Sequence, residues 1–224
     1  MTDTTIEPGL PGPPLLEGRQ KEPWPKLEQV FCAFRDGKRK EPREKDPRFL
    51  TSQYFPRSDV TPPHLEFLLP AFKPMHEFAF QRGCDGWNVE SNVALRQIAE
   101  TLTKEHGYSV EKYPPGNLNR LPILFGPDNS TLRYHDADGY SREDRTIIEV
   151  EAGTATANNA YLKDIFEASM VVDVDYLVLA VRKVYQSQKG GSSWDFKIVY
   201  DALDTIYASR RISLDLKGIL LVGY

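Results

Sequence analysis

Cysteine is nearly absent: Cys32 and Cys84 are the only two in 224 residues. That is too few for a disulfide framework, and the pair lacks the spacing of a zinc site. Long apolar runs are missing as well. The longest, Tyr176 to Val181 and Ile219 to Val222, are strand-length, far from the roughly 20 residues that cross a bilayer. The sequence opens without a charged-then-apolar leader, so a cytoplasmic protein with no membrane partner is expected. Four histidines without repeating spacing make His135 a surface or internally satisfied residue in this reading. There is no glycine-rich phosphate loop and no nucleophile elbow, which argues against an NTPase and against a serine hydrolase.

Proline is missing from the second half. Of 17 prolines, 13 lie at or before Pro74, four lie between Pro114 and Pro127, and none follows. Residues 1–25, with six prolines, sustain neither helix nor central strand and read as a flexible leader. Residues 26–85 read as an N-terminal appendage packed on the core, with a short helix over Leu65 to Leu69. Residues 86–224 form the core. There Asn88 is the expected N-cap of a helix carrying Leu95, Ile98, Ala99 and Leu102, and Gly107 is its left-handed C-cap. Trp87 and Trp194 read as core anchors.

Strands are expected at Tyr108 to Tyr113, which Pro114 and Pro115 stop, and at Leu121 to Phe125. Thr131 to Tyr140 and Arg145 to Glu151 then read as a hairpin. A helix follows with Leu162, Ile165, Phe166, Ser169 and Val172 along one side. The wholly apolar Tyr176 to Val181 comes next, as a parallel strand covered on both faces. Beyond a linker at 189–193, a helix bearing Phe196, Val199, Tyr200, Leu203, Ile206 and Tyr207 leads to a last strand from Gly218 to Gly223. This order gives an α/β fold, a three-layer sandwich with a central mixed sheet flanked by helices.

The chemistry-bearing feature is acidic. Residues two apart on a strand share a face, so Glu149 and Glu151 point one way and Val150 the other. Asp136 and Asp138 are equivalent by the same parity, and the hairpin sets one of them beside Glu149. Hard oxygen ligands in that number suit Mg²⁺, or Mn²⁺ in its place. An ion held there lowers the pKa of a bound water and stabilises charge on a phosphodiester during in-line displacement.

This arrangement resembles the PD-(D/E)XK nucleases over roughly residues 88–182. Asp138-Gly139-Tyr140 matches the first element and Glu149-Val150-Glu151 the acid-x-lysine element, with glutamate at 151 where lysine is usual. The resemblance implies a restriction-endonuclease-like fold and a magnesium-dependent, restriction-type endonuclease that hydrolyses double-stranded DNA and works as a homodimer. It implies Asp138, Glu149 and Glu151 as catalytic residues, with metal ligands drawn from Asp138, Glu149 and Asp136. The Asp-Gly context favours Asp138 over Asp136. Lys163 is a candidate migrated positive charge, ranked below Glu151 as proton acceptor, and Glu90 is a candidate first-helix acid that reads better as a solvated glutamate.

A net charge of −4 is a weak veto on DNA binding, since basic residues need line only one face. Two basic clusters are available, one from Arg35 through Arg48 interleaved with acids, the other at Arg182, Lys183, Arg210 and Arg211. Two alternatives stay open: a non-catalytic DNA-binding or protein-interaction module of the same fold, and, more weakly, a glycosidase using paired carboxylates.

Overall fold

A computed structural model describes residues 27–111, 119–152, 155–186 and 192–224. The leader over 1–25, the stop at Pro114 and Pro115, and linker residues 189–191 lie outside these. The chain begins with helix α1 (Leu27–Arg35), strand β1 (Thr51–Phe55) and helices α2 (Pro63–Leu68) and α3 (Lys73–Cys84). Then come α4 (Ser91–Arg96), α5 (Ala99–His106), β2 (Ser109–Val110), β3 (Asn119–Phe125), β4 (Thr131–Ala137), β5 (Gly139–Ser141) and β6 (Thr146–Glu151). The last part runs α6 (Ala160–Met170), β7 (Tyr176–Val181), β8 (Tyr185–Gln186), β9 (Ser192–Ser193), α7 (Asp195–Ser209) and β10 (Gly218–Gly223).

Six strands form one mixed sheet in the order β1-β10-β7-β6-β5-β2. β10, β7 and β6 are parallel; β1 at one edge and β5 at the other run antiparallel to them, and the edge strand β2 pairs antiparallel with β5. Side chains alternate across each strand, so the three parallel strands feed two apolar layers. Ile148, Val150, Val178, Ala180, Leu220 and Val222 pack on one face with Leu65, Phe72, Met75, Leu95, Ile98 and Leu102 from the helices α2 to α5 and the turn joining α2 to α3. Ile147, Leu177, Leu179, Ile219 and Leu221 pack on the other with Ile165 and Ala168 of α6 and Phe196, Val199 and Leu203 of α7. The expected α/β architecture with a mixed central sheet flanked by helices is therefore present. No helix among the described residues is long and apolar enough to cross a membrane.

Several local expectations need correction. The single helix expected from Asn88 is two, because Gln97 and Ile98 close three-residue turns back to Ala94 and Leu95 and Ile98 drops fully into the core. Asn88 caps nothing; its side-chain oxygen accepts a hydrogen bond from Arg182 Nη2. Gly107 does take the left-handed C-cap, at φ +72°. The buried face of α6 carries Tyr161, Asp164, Ile165 and Ala168, whereas Phe166 and Val172 are exposed. Trp87 is 61% exposed and packs under Arg82, so it is no core anchor. The segment expected as an appendage supplies an edge strand, with Thr51 opposite Gly223 and Phe55 opposite Ile219.

The basic clusters are also redistributed. In the first, Asp36 pairs with Arg35 and Lys38, Glu41 with Arg39, and buried Asp46 with Arg48, so much of its charge is matched locally. In the second, Arg182 and Lys183 are buried rather than presented to a ligand. Lys183 Nζ donates to the carbonyls of Arg43 and Asp46, each at 2.8 Å, and to Thr51 Oγ1. It thereby ties the chain entering β1 to the end of β7.

Burying an ammonium is tolerated only where acceptors surround it, and removing it leaves those acceptors unpaired. Lys183→Met is expected to cost about 1–3 kcal/mol or more in urea unfolding. Arg211→Ala, at an exposed site, should stay within about 0.5 kcal/mol of wild type. Equal, small effects would mean that Lys183 does not pin this junction.

Candidate active site

The hairpin formed by β5 and β6 pairs Gly139 with Ile148, so Asp138, one step earlier, stands across from Glu149. Asp138 lies at the joint between β4 and β5, where the extended chain breaks. Its carbonyl accepts from Glu111 N and its Oδ2 from Val150 N, both at 2.8 Å. Main-chain and side-chain bonds together hold this carboxylate against β6. The break also ends the strand parity. Asp136 lies on the exposed side of β4, where it pairs with Arg120 at 3.3 Å, and it is not brought to the other acids.

Glu149 points into the α6 layer and is only 7% exposed. Its Oε1 is 2.7 Å from His135 Nε2, and the opposite ring nitrogen, Nδ1, is 2.8 Å from Glu167 Oε2. His135 is itself buried. A neutral imidazole donates from one nitrogen only, so this bridge requires either the doubly protonated ring or a protonated carboxyl donating to it. Lys163 is exposed and pairs with Glu167 at 3.5 Å. It thus stands two side chains away from Glu149. Glu90 is exposed at the entry to α4 and caps it with no side-chain bond.

Glu151 is half-buried on the same face as Glu149, and its carbonyl accepts from Tyr224 Oη at 3.2 Å. Just beyond it, Ala152 N donates to Ser91 Oγ and Ala152 O accepts from Arg182 Nη1. These bonds anchor the end of β6 to α4 and β7. Asp164 completes the group from the inner face of α6. Its Oδ2 is buried with no hydrogen-bond partner, and its carboxyl lies against that of Glu151.

Burial and mutual repulsion shape the electrostatics. Burial pushes Asp138 up to about 6, opposed by the bond from Val150 and reinforced by Glu111 and Asp164. Burial lifts Glu149 well above the usual carboxylate range, with Asp138, Asp164 and Glu151 adding to it. Asp164 rises to about 7, through burial first and then the adjoining Glu151. As the side chains stand, no group of three or more His, Cys, Asp or Glu among the described residues is arranged to hold a metal ion. His135 on Glu149 and Val150 on Asp138 take up two of the oxygens that would be needed.

The sequence pattern thus brings Asp138, Glu149 and Glu151 together and leaves Asp136, Glu90 and Lys163 outside. Sequence reasoning missed Asp164, His135 and Glu167 as members. Asp164 had a signal, since it falls at helical spacing with Tyr161, Ile165 and Ala168, but a stripe sought only among apolar residues passes over it. No family model matches the chain, and no curated protein or solved structure matches it either.

The raised acids set the sign of a pH dependence. Between the unfolded and folded pKa values the folded state holds protons that the unfolded chain has released, so stability falls as pH rises through that window. For Asp138 the window runs from 3.8 to about 6. Asp138→Asn keeps an oxygen for Val150 N–H and removes the charge. In EDTA it is expected to exceed wild type by on the order of 1–3 kcal/mol at about pH 7 and to match it near pH 4, by urea unfolding at both pH values. A variant less stable than wild type at about pH 7 would make Asp138 a structural anchor instead.

Proposed function

We propose that this chain is a metal-dependent nuclease of the PD-(D/E)XK kind, with a restriction-endonuclease-like core, that hydrolyses phosphodiester bonds in double-stranded DNA. The observation that carries the reading is the meeting of Asp138, Glu149 and Glu151 at the hairpin on the α6 side of the sheet. Three carboxylates gathered in a partly buried site repel one another, and nature retains such a cluster mainly where a cation or a proton-transfer role compensates for it. The order of elements agrees: helices, hairpin, crossover helix and a buried parallel strand.

Hard oxygen donors and the unpartnered Oδ2 of Asp164 fit Mg²⁺ or Mn²⁺ in chemistry, once Glu149 turns away from His135. Asp138 and Glu149 would be the ligands, with Glu151 beside them. When bound, such an ion lowers the pKa of a water and neutralises charge on the phosphodiester. Glu151, half-buried at the end of β6, is suited to orient that water and accept its proton. With glutamate at 151, no lysine stands beside the cluster on β6, and Lys163 is committed to Glu167. Glu151 therefore carries the proton-acceptor role in this reading.

Incubation of supercoiled and linear duplex DNA with Mg²⁺ tests the proposal. Wild type is expected to nick or cut; Glu149→Gln and Glu151→Gln should lower the rate by about 10²–10⁴-fold, and Asp136→Asn should leave it nearly unchanged. Absence of cleavage together with no metal-induced change in melting temperature would instead favour a non-catalytic module of this fold.

A further inference from the structure

Cys32 and Cys84 stand 52 positions apart in the chain, and the fold brings them together far from the acids in sequence. α1 packs on α3 so closely at Phe31 and Gly83 that a side chain at 83 would collide with the Phe31 ring. Each cysteine is the residue that follows one of these two. Cys32 Sγ lies 3.9 Å from the carbonyl oxygen of Cys84. Phe31 also meets the ring of Phe80, one helical turn before Cys84 on α3, with centroids 5.6 Å apart. Both thiols are free. Cys32 is half-buried, and Cys84 is buried in a small apolar cluster with Phe31 and Val184. Burial pushes the Cys84 thiol up; Arg35, one turn after Cys32, opposes this, while Cys32, Asp85 and Asp36 add to it. Cys32, the more accessible of the two, is therefore the one that a reagent from solvent meets first.

Independently of the nuclease reading, we propose that Cys32 and Cys84 are a redox pair that closes an intramolecular disulfide when the protein meets a peroxide. The Cys32 thiolate attacks one peroxide oxygen, the O–O bond breaks and hydroxide leaves, so that Cys32 becomes a sulfenic acid. Cys84 then gives up its proton and attacks the sulfenyl sulfur. The S–S bond forms, the S–O bond breaks, and the departing hydroxide takes a proton to leave as water. Two thiols are oxidised and one hydrogen peroxide is reduced to two waters. The spacing of the cysteines in the sequence gives no sign of this pairing; the packing of α1 on α3 does. The closed loop contains β1 and the groups that hold Lys183, namely the carbonyls of Arg43 and Asp46 and the hydroxyl of Thr51. A bridge across it restricts the unfolded chain over that span and so stabilises the folded one.

Near-stoichiometric hydrogen peroxide applied to the folded full chain, followed by alkylation with iodoacetamide in denaturant without reductant and by mass spectrometry, tests this. Wild type is expected to lose the mass of two hydrogen atoms, to escape alkylation at both cysteines and to yield a linked peptide pair carrying Cys32 and Cys84. Its melting temperature should rise by roughly 5–15 °C and return to the starting value with dithiothreitol. Cys32→Ser should show neither effect. Cys84→Ala should stop at the sulfenic acid of Cys32, captured by dimedone. Alkylation of both thiols in peroxide-treated wild type would overturn the proposal, as would a disulfide joining two chains on a non-reducing gel. A bridge that leaves the melting temperature unchanged or lowers it would do so too, because the helices would then have to distort to form it. Should Cys84→Ala fail to fold, wild type and Cys32→Ser decide the question, since serine at the half-buried position 32 leaves the apolar cluster around Cys84 in place.

Discussion

Burial of the parallel strands β6, β7 and β10 on both faces is the constraint from which the rest of the molecule follows. A strand apolar at every position needs a layer on each side, and the parallel connections require helices to cross over the sheet. α6 is one such crossover, between β6 and β7. It must lie on the face that Glu149 and Glu151 share, since side-chain parity puts Val150 in the other layer. The acids are therefore under a helix because the sheet is parallel, and not because of any property of the acids themselves.

That placement makes the carboxylates expensive to ionise. Glu149 is resolved by His135, which is shared in turn with Glu167, and Asp138 by the Val150 amide. These partners offset only part of the burial, as the raised values of Asp138, Glu149 and Asp164 show. The cluster is consequently a place where the fold is less stable than its packing alone would make it. On the proposed reading, a bound cation would gain what the protein's own groups leave uncompensated and would link stability of the fold to occupancy of the site.

Away from the acids, buried cations do the opposite work. Arg182 and Lys183, at the end of β7, donate to main-chain carbonyls of segments far apart in sequence, including Val89, Ala152, Arg43 and Asp46. They close the ends of the strands against α4 and against the chain entering β1. Sequence reading places them with Arg210 and Arg211 as a basic patch, because adjacent cations look like a surface until their carbonyl partners are known.

Local pattern was enough for the elements whose signal is short-range. The apolar run of β7, the stripe of α7 and the glycine cap at Gly107 were legible, since each depends on neighbours within one or two turns; of the hairpin expected between Thr131 to Tyr140 and Arg145 to Glu151 only Gly139–Ser141 pairs with β6, because β4 pairs with β3 in a separate two-stranded sheet. Tertiary structure decided what depends on distant partners. β1 is a strand because β10 lies beside it, and the parity linking Asp136 to Asp138 fails because Glu111 and Val150 draw Asp138 out of the line of β4. Asp164 joins the acids only through the rotation of α6 against the sheet. Periodicity reports which residues share a face of one element; which face meets which is settled by packing between elements, and packing leaves no local mark in the sequence.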